Sequence, residues 1–338
     1  MGIHQWPAPP PPEGSPVSGD LLQVVRSLPR IRDECRPVRF PTDAELAMSR
    51  RALRLLLSGR TKPARELYAL LGFQVLDLQE AGRRLHLVLE LAGPALRGWG
   101  FYAVNPRPRR RSLVLEAPHP VHDRHTGELA AELFERLGAR ALLIATTYRC
   151  ASKLPTECQG RTGACRQVWG RGRYRRSDRA HATNTLFHAA HRELLEGEAG
   201  TVAVQVHGFG RRPGRRRHIV LSDGTRLPGR RASLSNGLAR AIRRLLPRRR
   251  RRLVRSCNET SRQRYLCGTH NVQGRHANGS PDPCRRPARR SRNRFVQLEL
   301  SLDARKPGGL IEPEVLPRAM ERLWPAGSHD RDGPNPRP

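Results

Sequence analysis

Short apolar runs alternating with helical patterns constrain this chain more than any other feature. Leu113–Ala117 (LVLEA) reads as a strand. A helix follows it, with Thr126 as N-cap, Leu129, Ala130, Leu133, Phe134 and Leu137 on one face, and Gly138 as its stop. Ala141–Ala145 (ALLIA) is a buried strand, and Leu186, Phe187, Ala190, Leu194 and Leu195 mark a second helix. Strands at Thr201–His207 and His218–Leu221, a helix over 234–246, a last strand at Phe295–Leu302 and a closing helix opened by Pro313 complete the series. This alternation predicts an α/β fold with a mixed, mostly parallel sheet sandwiched by helices. In such sheets ligands sit outside the carboxyl ends of the strands.

The rest of the 338 residues divides around that core. Residues 1–20 are Pro-rich and read as a disordered tail. Residues 21–111 read as an N-terminal extension packed on the core, helical over 43–71 and strand-like in FQVLDLQ, LHLVLELA and GWGFYAV. Residues 107–112 read as an exposed loop, and 150–180 and 247–293 as long irregular segments. The core is expected to span 112–325, with a disordered tail over 326–338.

A net charge of +33 directs attention to nucleic acid. Yet lysine occurs only at Lys62, Lys153 and Lys306, so nearly all the positive charge is arginine. That skew matches a GC-rich coding composition better than a surface selected for phosphate, where lysine serves well as a point charge. The Arg-rich stretches 107–111, 211–217 and 243–252 keep a nucleic-acid-binding protein as the alternative reading. PRRRRRL at 247–253 carries no interleaved aromatics for base stacking.

None of the seven cysteines forms a CxxC pair, which excludes a zinc ribbon. Cys150, Cys158 and Cys165 fall in one loop, and Cys257, Cys267 and Cys284 in another. Residues 1–20 show no signal peptide, and no apolar run reaches the ~18 residues of a membrane span. The missing leader points to the cytoplasm and the cysteine count to export, so the compartment stays open.

The strand ends hold the reactive side chains. PHPVHDRHTGE follows the first core strand, ATTYR ends at Arg149, VQVHGF carries His207, and the last strand carries Glu299. A catalytic zinc needs three protein ligands and an open position for water, whose pKa it lowers to about 7. His119 and Asp123 form a short-spaced pair, and His207 supplies a third ligand from another strand. Glu299 is the candidate general base, since an unpaired carboxylate inside an apolar strand is costly. Arg149 can hold a substrate carboxylate in a bidentate fork. His125 and Glu128 form a competing HxxE ligand pair, although Glu128 in a first helical turn is also explained by the helix dipole. His188 and His191, three apart on a helix, read as residues flanking the core.

The ordered motifs EAPHPVHDRHTGELAAELF, ATTYR, SDRAHATNTLFHAAHREL, VQVHGF, THNVQGR and FVQLELSLDAR resemble N-formylglutamate amidohydrolase-like proteins over roughly 112–325. That family is related to zinc carboxypeptidases and poly-gamma-glutamate hydrolases. The resemblance implies a phosphorylase/hydrolase-like α/β sandwich and one zinc ion. It also implies hydrolysis of an amide next to a carboxylate, in a small acidic or peptide substrate. Carried over by motif, His119, Asp123 and His207 hold the metal and Glu299 is the base. Arg149 and Arg275 clamp the substrate, and Asp178 and His181 line the pocket. This chain has HxxxD from His119 where the carboxypeptidase pattern has HxxE. A catalytically degenerate homologue is the remaining alternative.

Overall fold

The computed structural model describes residues 17–32, 38–93, 96–165, 172–210, 217–227, 233–259 and 265–327. Chain order begins with β1 (Val17–Ser18) and α1 (Leu21–Ser27). The Asp20 side chain caps α1 by accepting the Leu22 and Gln23 amides at 2.7 and 3.1 Å. Val17–Asp20, expected to belong to a disordered tail, is therefore structured; residues 1–16 lie outside the described residues. α2 (Asp43–Leu57) starts at a capping box between Thr42 and Glu45. The expected helix over 43–71 is two helices, because Gly59 at φ +77° turns the chain before α3 (Thr61–Leu70).

β2 (Phe73–Glu80), β3 (Arg83–Glu90) and β4 (Phe101–Val104) come next, then β5 (Arg110–Ala117), α4 (Thr126–Leu137) and β6 (Ala139–Ile144). β5 begins inside the stretch expected to be an exposed loop. Arg110 is buried, pairs with Ala139, and donates to the Trp324 and Leu137 carbonyls. The cap of α4 is His125 rather than Thr126, which is the first helical residue. β7 (Arg161–Thr162) and β8 (Gly172–Arg173) form a small separate ribbon. α5 (Leu186–Glu196), β9 (Val202–Phe209), β10 (Ile219–Ser222) and α6 (Leu234–Leu245) follow. A 3-10 turn (Arg248–Leu253), β11 (Val254–Ser256), α7 (Val272–Ala277), β12 (Phe295–Ser301), α8 (Leu302–Arg305) and α9 (Val315–Glu321) complete the chain. β11 and α7 thus lie in a segment expected to be irregular.

One ten-stranded sheet runs β1-β2-β3-β4-β6-β5-β9-β12-β10-β11. Its centre, β6-β5-β9-β12, is parallel, and antiparallel pairs flank it on both sides. Helices cover both faces, so the fold is a mixed α/β sandwich. Side chains alternate across the sheet. Leu113, Leu115, Val204, Val206, Leu298 and Leu300 pack toward α1, α4, α6 and α9. Val114, Ala203 and Phe295 share a core with α2, α3 and α5 on the other face. Glu116, Gln205, His207, Gln297 and Glu299 follow on that second face at the strands' carboxyl ends.

Three disulfides staple the long loops: Cys150–Cys165, Cys158–Cys284 and Cys257–Cys267. The second joins the two cysteine-bearing loops to each other. Cys35 lies outside the described residues, as do 211–216 of one Arg-rich stretch and 328–338 of the C-terminal tail. Other arginines from those stretches hold the fold: Arg243 forks onto Glu259 at 2.5 and 2.7 Å, and Arg250 donates to the Leu310 carbonyl at 2.8 Å.

Candidate metal centre

The turn after β5 folds Asp123 back over His119. The His122 and Asp123 amides both donate to the His119 carbonyl, at 2.9 and 2.7 Å. His119 then meets two carboxylates. Its Nε2 donates to Asp178 Oδ1 at 2.7 Å, and its Nδ1 faces Asp123 Oδ2 at 3.7 Å, too long for a hydrogen bond. His119 Nδ1 is accordingly a buried ring nitrogen with no hydrogen-bond partner.

His207 arrives from the end of β9 in the same attitude. Its Nε2 donates to Gln205 Oε1 at 2.6 Å, and its Nδ1 lies 3.9 Å from the same Asp123 Oδ2. The Gln205 amide can point only one way, because its Nε2 donates to Glu116 Oε2 at 2.8 Å. Both imidazoles therefore tie up Nε2 and turn Nδ1 toward one carboxylate oxygen. One ring nitrogen from each histidine and an Asp123 carboxylate oxygen lie within 4.8 Å of one another, and the rings stand 5.1 Å apart at 72°. Two imidazole nitrogens and a carboxylate oxygen are the donor set of a catalytic zinc. A buried Nδ1 without a partner is what such an ion would satisfy, so the residues fit the metal.

The electrostatics agree for His207 and Asp123, whereas a proton on His119 would compete with the metal. Burial, then the charge of His119, pushes His207 well below the usual imidazole range, which leaves it neutral with a lone pair. Burial would raise Asp123, but the His119 imidazole beside it holds the carboxylate down to about 2. Burial and Arg149 act to lower His119, and the Asp178 and Asp123 carboxylates outweigh them and raise it. Asp123 Oδ2 also accepts the Gly208 amide at 3.0 Å. A Cβ at 208 would lie 2.5 Å from the Arg305 guanidinium carbon, so a larger residue there would displace that side chain.

Glu299 stands opposite His207 in the β9–β12 register. It is buried, and that burial together with the Asp123 charge pushes its carboxyl up to about 8. Gln297 Nε2 donates to Glu299 Oε1 at 2.9 Å.

No family model matches the chain, and no curated protein matches it. Solved structures give distant likenesses. A gene product of Agrobacterium tumefaciens is 15% identical with a TM-score of 0.39, covering 64% of this chain and 88% of its own. A candidate metallopeptidase of Shewanella amazonensis SB2B is 10% identical with a TM-score of 0.29, covering 85% and 97%. One from Shewanella baltica OS155 is 13% identical, with the same score and coverage. At these scores the likenesses decide nothing about activity.

Asp178, His181 and Arg149 form a buried cluster behind His119. Asp178 Oδ1 accepts from His119 Nε2 and from His181 Nδ1 at 2.8 Å, and Oδ2 accepts Arg149 Nε and Nη2 at 3.0 and 2.5 Å. His119, Asp178 and His181 also lie within metal-binding reach of one another. With four donors already on its two oxygens, however, Asp178 is an orienting group for His119 rather than a ligand. His181 stacks on Tyr174 with ring centres 3.6 Å apart, and burial pushes it down to about 4.

Three expected site residues stay apart from this cluster. His125 sits at φ +69° as the cap of α4 and Glu128 in its first turn, and neither joins a metal-competent group among the described residues. The Arg275 guanidinium instead binds the Thr269, Pro283 and Cys284 carbonyls and Gln159 Oε1, at 2.8, 3.3, 3.2 and 3.2 Å.

Glu116 and Gln205 are the residues that sequence reasoning missed. Glu116 is fully buried and also accepts from His191 Nδ1 at 2.7 Å. Both carried a legible signal. Glu116 interrupts the apolar run LVLEA as Glu299 interrupts its own strand, and Gln205 precedes His207 by the two residues that keep a strand on one face.

Proposed function

We propose that the chain is a zinc-dependent hydrolase of an amide bond next to a carboxylate, acting on an N-acyl amino acid or a peptide. The observation that carries this reading is the shared aim of His119 Nδ1 and His207 Nδ1 at Asp123 Oδ2, with Glu299 across from His207. His119, Asp123 and His207 would hold the ion. Zinc with an open position supplies Lewis acidity and lowers the pKa of water to about 7.

The chain's own residues do the rest. Glu299, with its carboxyl pushed up to about 8, is suited both to take a proton from water and to pass it to the leaving amine. Asp178 keeps the His119 tautomer fixed, and Gln205 does the same for His207. Arg149 spends Nε and Nη2 on Asp178, and its remaining edge is the candidate contact for a substrate carboxylate. The three disulfides favour an oxidising compartment. No helix among the described residues is long and apolar enough to cross a membrane.

The test is a panel of N-formyl and N-acetyl amino acids and acidic peptides, assayed on the purified chain before chelation, after it, and after zinc is restored. The reading expects hydrolysis that disappears on chelation, returns with zinc and is lost in Glu299→Gln. Turnover that survives chelation, or no turnover of any panel member by the zinc-loaded chain, contradicts it.

A further inference from the structure

We propose that Asn271 is a positioning residue for both halves of the site. It sets the hydrogen-bond polarity behind His207 and behind Glu299 while bonding to neither. The inference rests on the reading of His207 as a metal ligand and Glu299 as the base.

Asn271 lies at the start of α7 and is buried. Its side-chain oxygen caps the helix by accepting the Gly274 amide at 3.1 Å. A backbone N–H can only donate, so this bond fixes which end of the Asn271 amide is oxygen. Nδ2 is thereby turned toward the central strands. It donates to Gln205 Oε1 on β9 and, at 3.2 Å, to Gln297 Oε1 on β12. Its two protons are matched to two carbonyl oxygens.

Each glutamine carries the polarity one step further. Gln205 Oε1 also accepts His207 Nε2 at 2.6 Å, so the His207 proton sits on Nε2 and the lone pair on Nδ1, toward Asp123. Gln297 turns its nitrogen the other way and donates to Glu299 Oε1 at 2.9 Å. One backbone amide of α7 thus governs, through a single asparagine, the tautomer of a ligand and the setting of the base. Gln205 is held at its far end as well, by Glu116. Gln297 has no such second anchor among the described residues.

The turn before α7 holds Asn271 in place. The Asn271 backbone amide donates to the Gly268 carbonyl at 2.9 Å. Gly268 sits at φ +62° and so close to β12 that a Cβ there would strike Gln297 Oε1. The disulfide Cys257–Cys267 and a bond from Ser222 Oγ to the Cys267 carbonyl at 2.7 Å anchor the residue just before it. Asn271, Gln205 and Gln297 are all buried, where an acceptor facing an acceptor has no water to relieve it.

Asn271→Asp tests this with little change of shape. Aspartate caps a helix as well as asparagine does, so the Gly274 amide keeps its acceptor. The second oxygen then faces the two glutamine oxygens, and turning those amides over relieves it. A reversed Gln205 presents Nε2–H to His207 Nε2 and drives the imidazole proton to Nδ1, the nitrogen that faces Asp123. A reversed Gln297 presents an oxygen to Glu299.

The measurement is nitrogen NMR of labelled histidines in the full-length, oxidised, metal-free chain, followed by zinc titration against a chromophoric chelator. The proposal expects only the Nε2–H tautomer at His207 in the parent and an added Nδ1–H population in Asn271→Asp. Zinc affinity should fall by about 10- to 100-fold in the variant. A folded variant that keeps the parent tautomer and an affinity within about threefold of the parent overturns the proposal. If the variant does not fold, the parent alone decides. Deuterium exchange at the Asn271 Nδ2 protons should then be about a hundredfold slower than in a free side-chain amide, and a rate near the free one overturns the proposal. A parent chain that binds no zinc fails the hydrolase reading instead, and the tautomer comparison still judges Asn271.

Discussion

Glu299 on β12 lies directly across from His207 on β9, in the register of two parallel neighbours. The pairing puts a buried carboxyl with a pKa of about 8 beside an imidazole kept neutral. The proposed function would divide proton transfer and metal binding between these adjacent strands. Glu299→Gln should lower turnover by about 100- to 10,000-fold while the metal content of the chain stays unchanged. Steady-state rates read with metal analysis on the same sample check both halves. A variant within threefold of the parent rate removes Glu299 from the chemistry.

Asp178 fixes His119 from behind, with its oxygens also bonded to His181 and Arg149. Asp178→Asn keeps the shape and removes the charge. Zinc affinity at the His119 cluster should fall by about 10- to 100-fold, as for other partners of a ligating histidine. Competition titration with a chelator reads this directly. Unchanged affinity would mean that His119 needs no orienting carboxylate.

Much of this site was legible in the sequence because its signals were local. A strand followed at once by HPVHD, a histidine at a second strand end and a glutamate inside FVQLELS all carry their meaning within a few residues. The central parallel strands were legible for the same reason, as short apolar runs bounded by helical patterns. What failed was long-range or steric. Arg275 looked like a clamp because an arginine's type is visible and its partners are not; the loop around Cys284 claims its guanidinium. Arg110 looked exposed because the strand that buries it is irregular between Arg110 and Val114. His188 and His191 could be placed on one helix, but His276 comes from 85 residues beyond His191 and joins them only in the fold.

A pH effect on stability should come from the Glu80–Glu135 pair, far from these histidines. The Leu21 amide donates to Glu80 Oε1 at 3.1 Å, and Glu80 Oε2 is buried without a hydrogen-bond partner. Burial, then Glu80, pushes Glu135 up to about 8. The folded chain thus holds a proton that the unfolded chain has released above its ordinary pKa of 4.5. Stability from this pair is present at low pH and is lost as pH rises toward about 8, with a slope of at most about 1.4 kcal/mol per unit. Glu135→Gln should flatten that decline between pH 5 and pH 8 in urea titrations. An equal decline in parent and variant would assign it to other groups.

Cys158–Cys284 closes a loop of 126 residues and ties the β7–β8 ribbon to the segment that Arg275 also holds. Replacing both cysteines by serine should lower stability by about 2–5 kcal/mol. Thermal unfolding of the two forms under the same buffer checks it. An unchanged midpoint would mean that Arg275 and the surrounding backbone bonds suffice.

The central claim concerns one point in space, between His119 Nδ1, His207 Nδ1 and Asp123 Oδ2. Crystals of the full chain grown with zinc, measured on both sides of the zinc absorption edge, test it most directly. The account predicts an anomalous peak about 2.1 Å from all three atoms. Zinc-soaked crystals with no peak there, and His119 bonded only to Asp178, would contradict it.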